Sequence, residues 1–324
     1  MSALLRSTLL AAAHSPRLER AITRLPVSRD VVARFVAGTT VEQAVHTAET
    51  LVGTGRFVSI DYLGEDTTDL ARAEATVEQY RVLIDALGRL PRAEVAPGAV
   101  RPLEVSVKLS ALGQALPRDG HAVAREHARR ICAAAEAAGV WVTVDAEDHT
   151  TTDSTLAIVR ELREDYPWLG TVLQAYLRRT EEDCRALSGP GSRIRLCKGA
   201  YDEPVGVAFR DRAEIDASYL RCLAILTAGA GYPMIASHDP AMLAAAEVGV
   251  RSARRKTEEY EYQMLYGIRA DEQQRLAAAG NHVRVYIPYG EQWYGYFMRR
   301  LAERPANVGF FLRALVRPGG AEPA

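Results

Sequence analysis

Leu103-Glu104-Val105-Ser106-Val107-Lys108 is a β-branched run that ends on a charge. It is followed by a stretch of helical period at 120–138, a stop at Gly139, and a second such run, Val140-Trp141-Val142-Thr143-Val144-Asp145. Strand, helix, strand in this order make a βαβ unit, whose two strands lie parallel. The pattern recurs along the chain. Strands are expected at 56–61, 103–108, 140–145, 171–174, 193–198, 233–237, 260–263 and 282–286, and helices between them, among them 68–90, 153–166, 210–228, 240–248 and 270–279. Gly139, Gly231 and Gly280 each stop a helix just before a new strand. Eight such units predict an α/β chain folded as a (β/α)8 TIM-like barrel.

An open doubly wound sheet is the competing fold. It loses ground because no G-x-G-x-x-G follows a strand, and Lys198 lacks the upstream glycines of a P-loop. Outside the barrel, residues 1–54 read as an N-terminal helical arm. Residues 55–290 are the barrel, with Tyr286-Ile287-Pro288-Tyr289-Gly290 read as a turn, and 291–324 hold a C-terminal helix at 292–304 and a tail.

Composition narrows the class. The 324 residues carry 40 basic and 41 acidic side chains, a net charge of −1, so no global field recruits nucleic acid. Cys132, Cys184, Cys197 and Cys222 form no C-x-x-C pair and have no histidine at metal-ligand spacing. That usage predicts no metal and fits a reducing, cytoplasmic compartment. The apolar start, 1–13, is interrupted by Arg6 and lacks the basic flank of a signal peptide. No run is long and uncharged enough to span a bilayer.

In such a barrel the working surface lies at the C-terminal strand ends. Those ends are polar: Asp61, Lys108, Asp145, Gln174, Lys198, Ser237-His238, Gln263 and Tyr286, with Arg195 pointing inward two residues before the end of its strand. Any one of them could belong to a buried pair that locks the barrel. So many together point to a ligand with several polar groups, because unpaired buried charge is costly. Lysine occurs only at Lys108, Lys198 and Lys256, and two of these sit at strand ends. On the last helix Tyr296, Arg299, Arg300 and Glu303 share one face by i, i+3, i+4, i+7 spacing, an anion clamp beside an aromatic wall or else a solvated stripe. His238 could be a metal ligand or base; with no second histidine near it, a hydrogen-bond donor to a phosphate fits better.

These residues resemble those of proline dehydrogenase, in particular the monofunctional bacterial enzymes. The resemblance runs in order through 105–112, 144–147, 173–176, 195–201, 236–238, 262–267, 284–288 and 296–303. It implies a distorted barrel with the last helix over its mouth, holding FAD noncovalently. It further implies oxidation of L-proline to Δ1-pyrroline-5-carboxylate, the first step of proline catabolism, with electrons passed to a quinone. Matched motif by motif, Lys108, Arg299 and Arg300 hold the proline carboxylate, while Tyr286, Tyr296, Leu265 and Ala200 wall the ring. Asp145 and Tyr201 support that pocket. Gln174, Arg195, Cys197, Lys198, Ser237, His238 and Glu303 contact FAD, with Arg195 at the flavin N5 edge. Glu65 pairs with Arg299 as a gate when no substrate is bound.

The chain departs from the family pattern at Cys197, where many relatives have Val, and at Ser237, where Thr is common. Its turn between Tyr286 and Tyr296 is two residues shorter than in the bifunctional enzymes. No aldehyde dehydrogenase half is seen, so pyrroline-5-carboxylate dehydrogenase is expected as a separate chain. Contact with a membrane quinone leaves a peripheral position on the inner face of the membrane open, with the N-terminal helix as a weak candidate. Three alternatives stay open: a hydroxyproline dehydrogenase, a barrel aldolase whose Lys198 or Lys108 forms a Schiff base, and a noncatalytic binding protein.

Overall fold

The computed structural model describes residues 32–91 and 99–303, the last three as backbone. Eight parallel strands close into a barrel in chain order. They are β1 Phe57–Tyr62, β2 Leu103–Val107, β3 Trp141–Val144, β4 Gly170–Gln174, β5 Arg193–Cys197, β6 Tyr232–Ala236, β7 Glu261–Leu265 and β8 His282–Tyr289. Closure is made by β8 against β1, from Phe57 beside Arg284 to Tyr62 beside Tyr289. The pairing of β3 with β4 is the shortest, Thr143 with Gly170 and Val144 with Thr171.

The helices are α1 Val41–Val52, α2 Leu70–Gly88, α3 Gly120–Ala138, α4 Thr152–Arg163, α5 Thr180–Leu187, α6 Arg212–Ala228, α7 Pro240–Ser252, α8 Ala270–Ala278 and α9 Trp293–Glu303. Their ends follow local chemistry. Thr40 and Gln43 close a capping box on α1, Asp239 caps α7 ahead of Pro240, and Gly139 ends α3 in the left-handed conformation.

Strand alternation sorts the side chains into two populations. Outward-facing Val58, Ile60, Val105, Val107, Val142, Val144, Val285 and Ile287 pack with α1, α2 and α3 in one apolar cluster. Leu173, Ile194, Leu196, Ile235, Tyr262, Met264 and Val283 do the same with the later helices. Beside Val172 and Met234, the inward positions hold the buried polar residues Ser59, Asp61, Glu104, Ser106, Thr143, Arg193, Arg195, Glu261, Gln263 and Arg284. Barrels of this architecture are usually filled by layers of branched apolar residues; this one is filled by ion pairs.

One expectation changes at the C-terminal side. The segment read as a turn after Tyr286 continues β8 through Tyr289. Pro288 has no N–H to give the ladder, but its carbonyl accepts from Ala37, and its neighbours keep their register with β1. The turn comes at Gly290, with φ of 124°. Of the arm expected over 1–54, residues 1–31 lie outside the described residues, while α1 packs on β1, β8 and α2. No helix among the described residues is long and apolar enough to cross a membrane.

Candidate active site

Two layers of charge lead up to the barrel mouth. In the lower one the Glu104 carboxylate, fully buried, accepts from Ser59 at 2.8 Å, Arg193 at 2.5 Å and Arg195 at 3.2 Å. Burial disfavours its charge, but Arg284, Arg193 and Arg195 outweigh burial and hold the carboxyl at about 2. Arg284 is paired with Glu261 at 2.7 Å and donates to the backbone carbonyl of Val58.

Arg195 is the hub between the layers. Its guanidinium donates to Gln263 at 2.5 Å, Ser106 at 2.9 Å, Asp145 at 2.6 Å, Ser59 at 3.3 Å and Glu104. Asp145 accepts on its other oxygen from the Tyr286 hydroxyl at 2.8 Å, and the Tyr286 ring lies 5.4 Å from the Arg195 guanidinium. Burial pushes the Asp145 carboxyl above its ordinary value in spite of Arg195 and Lys108.

Lys108, buried at the end of β2, donates to Asp61 at 2.5 Å. Burial opposes its charge, but Asp61, Asp145 and Glu65 outweigh it and hold the ammonium well above its ordinary value. An amine so firmly protonated is a poor Schiff-base nucleophile. Lys198 sits three positions after Arg195 and so faces the other way, toward Asp216 on α6 and Asp239 at the start of α7, 2.8 Å from the latter. The aldolase alternative thereby loses both of its lysines.

The mouth is bridged from above. Arg299 on α9 forms a two-pronged pair with Glu65, Nη1 to Oε2 at 3.1 Å, and its guanidinium lies 5.7 Å from the Tyr201 ring. Glu65 follows β1 and Tyr201 follows β5, diametrically opposite strands in a barrel of eight. One side chain of α9 therefore spans the opening, as the expected helix over the mouth requires. Burial opposes charge on Arg299, but Glu65 and Tyr201 overcome it and raise its pKa.

Leu265, Tyr286 and Tyr296 gather in one apolar cluster with Leu63, Ile268, Phe297 and Met298. Arg300 lies 5.1 Å from the ring of Tyr296, one turn earlier. At the ends of β4 to β6, Gln174 donates to the carbonyl of Glu147 at 2.8 Å, and Cys197 lies near the carbonyl of Leu173. Ser237 Oγ accepts from Asp239 N–H, and His238 Nε2 accepts from Leu265 N–H at 2.9 Å. The donor role expected of His238 thus falls to Nδ1, which carries the proton in that tautomer. Ala200 stands in the loop after β5, between Gly199 and Tyr201. The side chain of Glu303 lies outside the described residues.

The motif reading assigned no role to Asp61, Glu104, Ser106 and Glu147, although each is buried in this network. For Glu104 and Ser106 the signal was available in the period of two along β2, which puts both on the face of Lys108. A concavity of about 1400 Å3 lies at the opposite end of the barrel, lined by Arg56, Arg101, Trp141, Trp168, Tyr232 and His282 among others, away from these groups.

The fold and site define a (β/α)8 barrel with a charged, aromatic-walled mouth at its C-terminal strand ends. The chain belongs to the proline dehydrogenase family, whose family model matches residues 44–313. It is 38% identical to proline dehydrogenase 1 of Bacillus subtilis (strain 168) over 88% of this chain and 90% of the relative. With the proline dehydrogenase of Deinococcus radiodurans it shares 36% over 97% and 98%. A crystal structure of proline utilization A from Bdellovibrio bacteriovorus, inactivated by N-propargylglycine, matches with a TM-score of 0.77 and 26% identity. That match covers 85% of this chain and 33% of the longer protein, so the chain spans about a third of it.

Proposed function

We propose that the chain oxidises L-proline to Δ1-pyrroline-5-carboxylate with noncovalently held FAD, the first step of proline catabolism. The observation that carries this reading is the bridge of Arg299 from Glu65 to Tyr201 at the same end of the barrel as Lys108, near a cluster that holds Tyr286, Tyr296 and Leu265. Those cations suit the carboxylate of an amino acid. The apolar wall suits its ring.

The donors at the ends of β4, β5 and β6 suit a ligand made of acceptors. Ser237 Oγ accepts from Asp239 N–H and keeps a hydroxyl proton of its own, and His238, accepting at Nε2, carries its proton on Nδ1. Gln174, Arg195, Cys197, Lys198, Ser237, His238 and Glu303 would hold FAD, with Arg195 as the cation that would favour its reduced form. When bound, FAD supplies a two-electron acceptor that takes hydride from C5 of proline and passes the electrons to a quinone.

The protein's share of the work is orientation, worth up to about 7–11 kcal/mol in well-aligned systems. Lys108, Arg299 and Arg300 anchor the carboxylate. Tyr286, Tyr296, Leu265 and Ala200 hold the ring flat, and Tyr201 closes the side opposite Glu65. Asp145 fixes Arg195 and Tyr286 at once, so the cation favouring negative charge on the reduced cofactor is set before substrate arrives. Proline reacts with its amine neutral, the nitrogen lone pair driving hydride from C5 and leaving an iminium, so no protein base is needed at that carbon. Glu65 occupies Arg299 until the substrate carboxylate replaces it. The product passes to a separate pyrroline-5-carboxylate dehydrogenase, and the quinone is met at the membrane surface.

An absorbance spectrum of the purified chain tests this. Flavin bands that bleach on addition of proline are expected. A colourless protein, or a yellow one indifferent to proline, rules the reading out.

A further inference from the structure

Glu147 is a buried carboxylic acid with no part in binding or chemistry above. Its two oxygens serve one residue: Oε1 accepts from the Ser110 backbone N–H at 3.0 Å, and Oε2 from the Ser110 hydroxyl. Ser110 opens the π-helical turn Ser110–Gln114, just beyond Lys108. Such turns favour functional sites. Ser110 in turn holds the loop after β1: its Oγ accepts from Asp66 N–H at 3.0 Å and its carbonyl from Thr67 N–H at 3.1 Å. Asp66 has a φ of 52°, a left-handed conformation that persists only where its surroundings fix it. The residue before it is Glu65, the partner of Arg299.

We propose that Glu147 and Ser110 form the mount that positions Glu65 for its pair with Arg299, so that Glu147 is a positioning residue of the gate. The inference rests on the reading of that pair as a gate. The path is continuous, from the loop after β3 through the π-helical turn to the loop after β1 and across to α9. Gln174 anchors its first member by donating to the Glu147 carbonyl. Among the described residues, the side-chain hydrogen bonds of Glu147 both go to Ser110, so its loss alters where Glu65 sits through that residue and removes no hydrogen bond from Lys108, Arg195 or Arg299.

The test uses the flavin-loaded enzyme with Ser110→Ala, Glu147→Gln and, as the conservative variant, Ser110→Thr. Amide hydrogen exchange at Asp66 and Thr67 is expected to rise at least about tenfold in Ser110→Ala and Glu147→Gln, and to stay near wild type in Ser110→Thr. KM for proline should shift about threefold or more in Ser110→Ala, with kcat within about twofold, and that shift should vanish when Glu65→Gln is already present. Unchanged exchange at the two amides, a KM shift that survives Glu65→Gln, or a fall in kcat at constant KM overturns the mount. A wild-type enzyme that ignores proline would refute the proposed function, while the exchange comparison would still report on the mount.

Discussion

Arg195 donates to Asp145 at 2.6 Å across the barrel interior, and the same carboxylate takes the Tyr286 hydroxyl on its other oxygen. Asp145→Ala leaves a buried guanidinium without its closest counter-charge, a change expected to cost about 3–5 kcal/mol. Asp145→Asn keeps the volume but not the charge and should lower kcat by at least about tenfold with less loss of stability. Urea titration and steady-state kinetics of both variants check this; an Asn variant with wild-type kcat would remove Asp145 from the support of Arg195.

Removing Arg299 or Arg300 strips a charge-assisted partner from the carboxylate. Each Ala variant should raise KM for proline by about 10–100-fold with flavin content unchanged. The flavin-to-protein absorbance ratio, measured beside KM, separates the two roles. A variant that loses flavin but keeps its affinity for proline would contradict the assignment.

Glu104 and Glu147 make stability depend on pH with opposite signs. Glu104 is held at about 2, below the 4.5 of an exposed glutamate. Its contribution is therefore present above pH 4.5 and is lost as pH falls toward 2, up to about 3 kcal/mol. Glu147 is pushed by burial to about 7, against its bonds from Ser110 and with Glu65 adding to the rise. The folded state then keeps a proton the unfolded chain has released, and stability falls as pH rises from 4.5 to 7. Between pH 4 and pH 8 the stability difference between Glu147→Gln and wild type should move toward the variant by up to about 3 kcal/mol, while Glu104→Gln should lose less than wild type on acidification. Chemical denaturation from pH 2 to pH 8 gives both slopes, the Glu104 one below pH 4.5 and the Glu147 one above it, and curves parallel to wild type in either window would contradict the assignment made there.

Gly199 carries a φ of 106°, and a Cβ there would come within 2.2 Å of the Tyr176 ring. Tyr176 is itself fixed by a bond to Glu203. Gly199→Ala must therefore move the loop that carries Ala200 and Tyr201. We expect a loss of about 1–3 kcal/mol from backbone strain, with a drop in kcat/KM for proline. Wild-type turnover by the variant would show that this loop does not shape the pocket.

The Tyr286 ring is anchored by its hydroxyl and leaves little freedom beside the substrate ring. A 4-hydroxyl should be crowded, so kcat/KM for proline should exceed that for trans-4-hydroxyproline by about tenfold or more. Equal efficiencies on the two would favour the hydroxyproline alternative.

The barrel was legible because outward-facing valines and isoleucines and the helix-stopping glycines carry strong local signals. Val105, Val107 and Gly139 read the same way in isolation as in the fold. The end of β8 was not, since Pro288 normally argues against a strand and only its place beside Asp61 on β1 overrides that. The candidate site was legible where strand ends are charged, as at Lys108 and Asp145. Asp61 was seen as polar without its partner, because no local signal pairs it with Lys108, 47 residues on. Ser110 and Glu147 lie in the matched stretches 105–112 and 144–147 without a role there, and their bond becomes visible only once two loops meet.

The bonds of Arg195 have a consequence for assembly. From β5, one guanidinium is bound by side chains of β1, β2 and β7 and by Asp145 just after β3. A fragment ending after β4 would keep Glu104 and Asp145 while lacking Arg193, Arg195 and Arg284, and would bury Glu104 without any of its three arginines and leave Asp145 with Lys108 alone. Two halves cut there are expected not to mature alone; like an arch, the barrel stands once its keystone is seated.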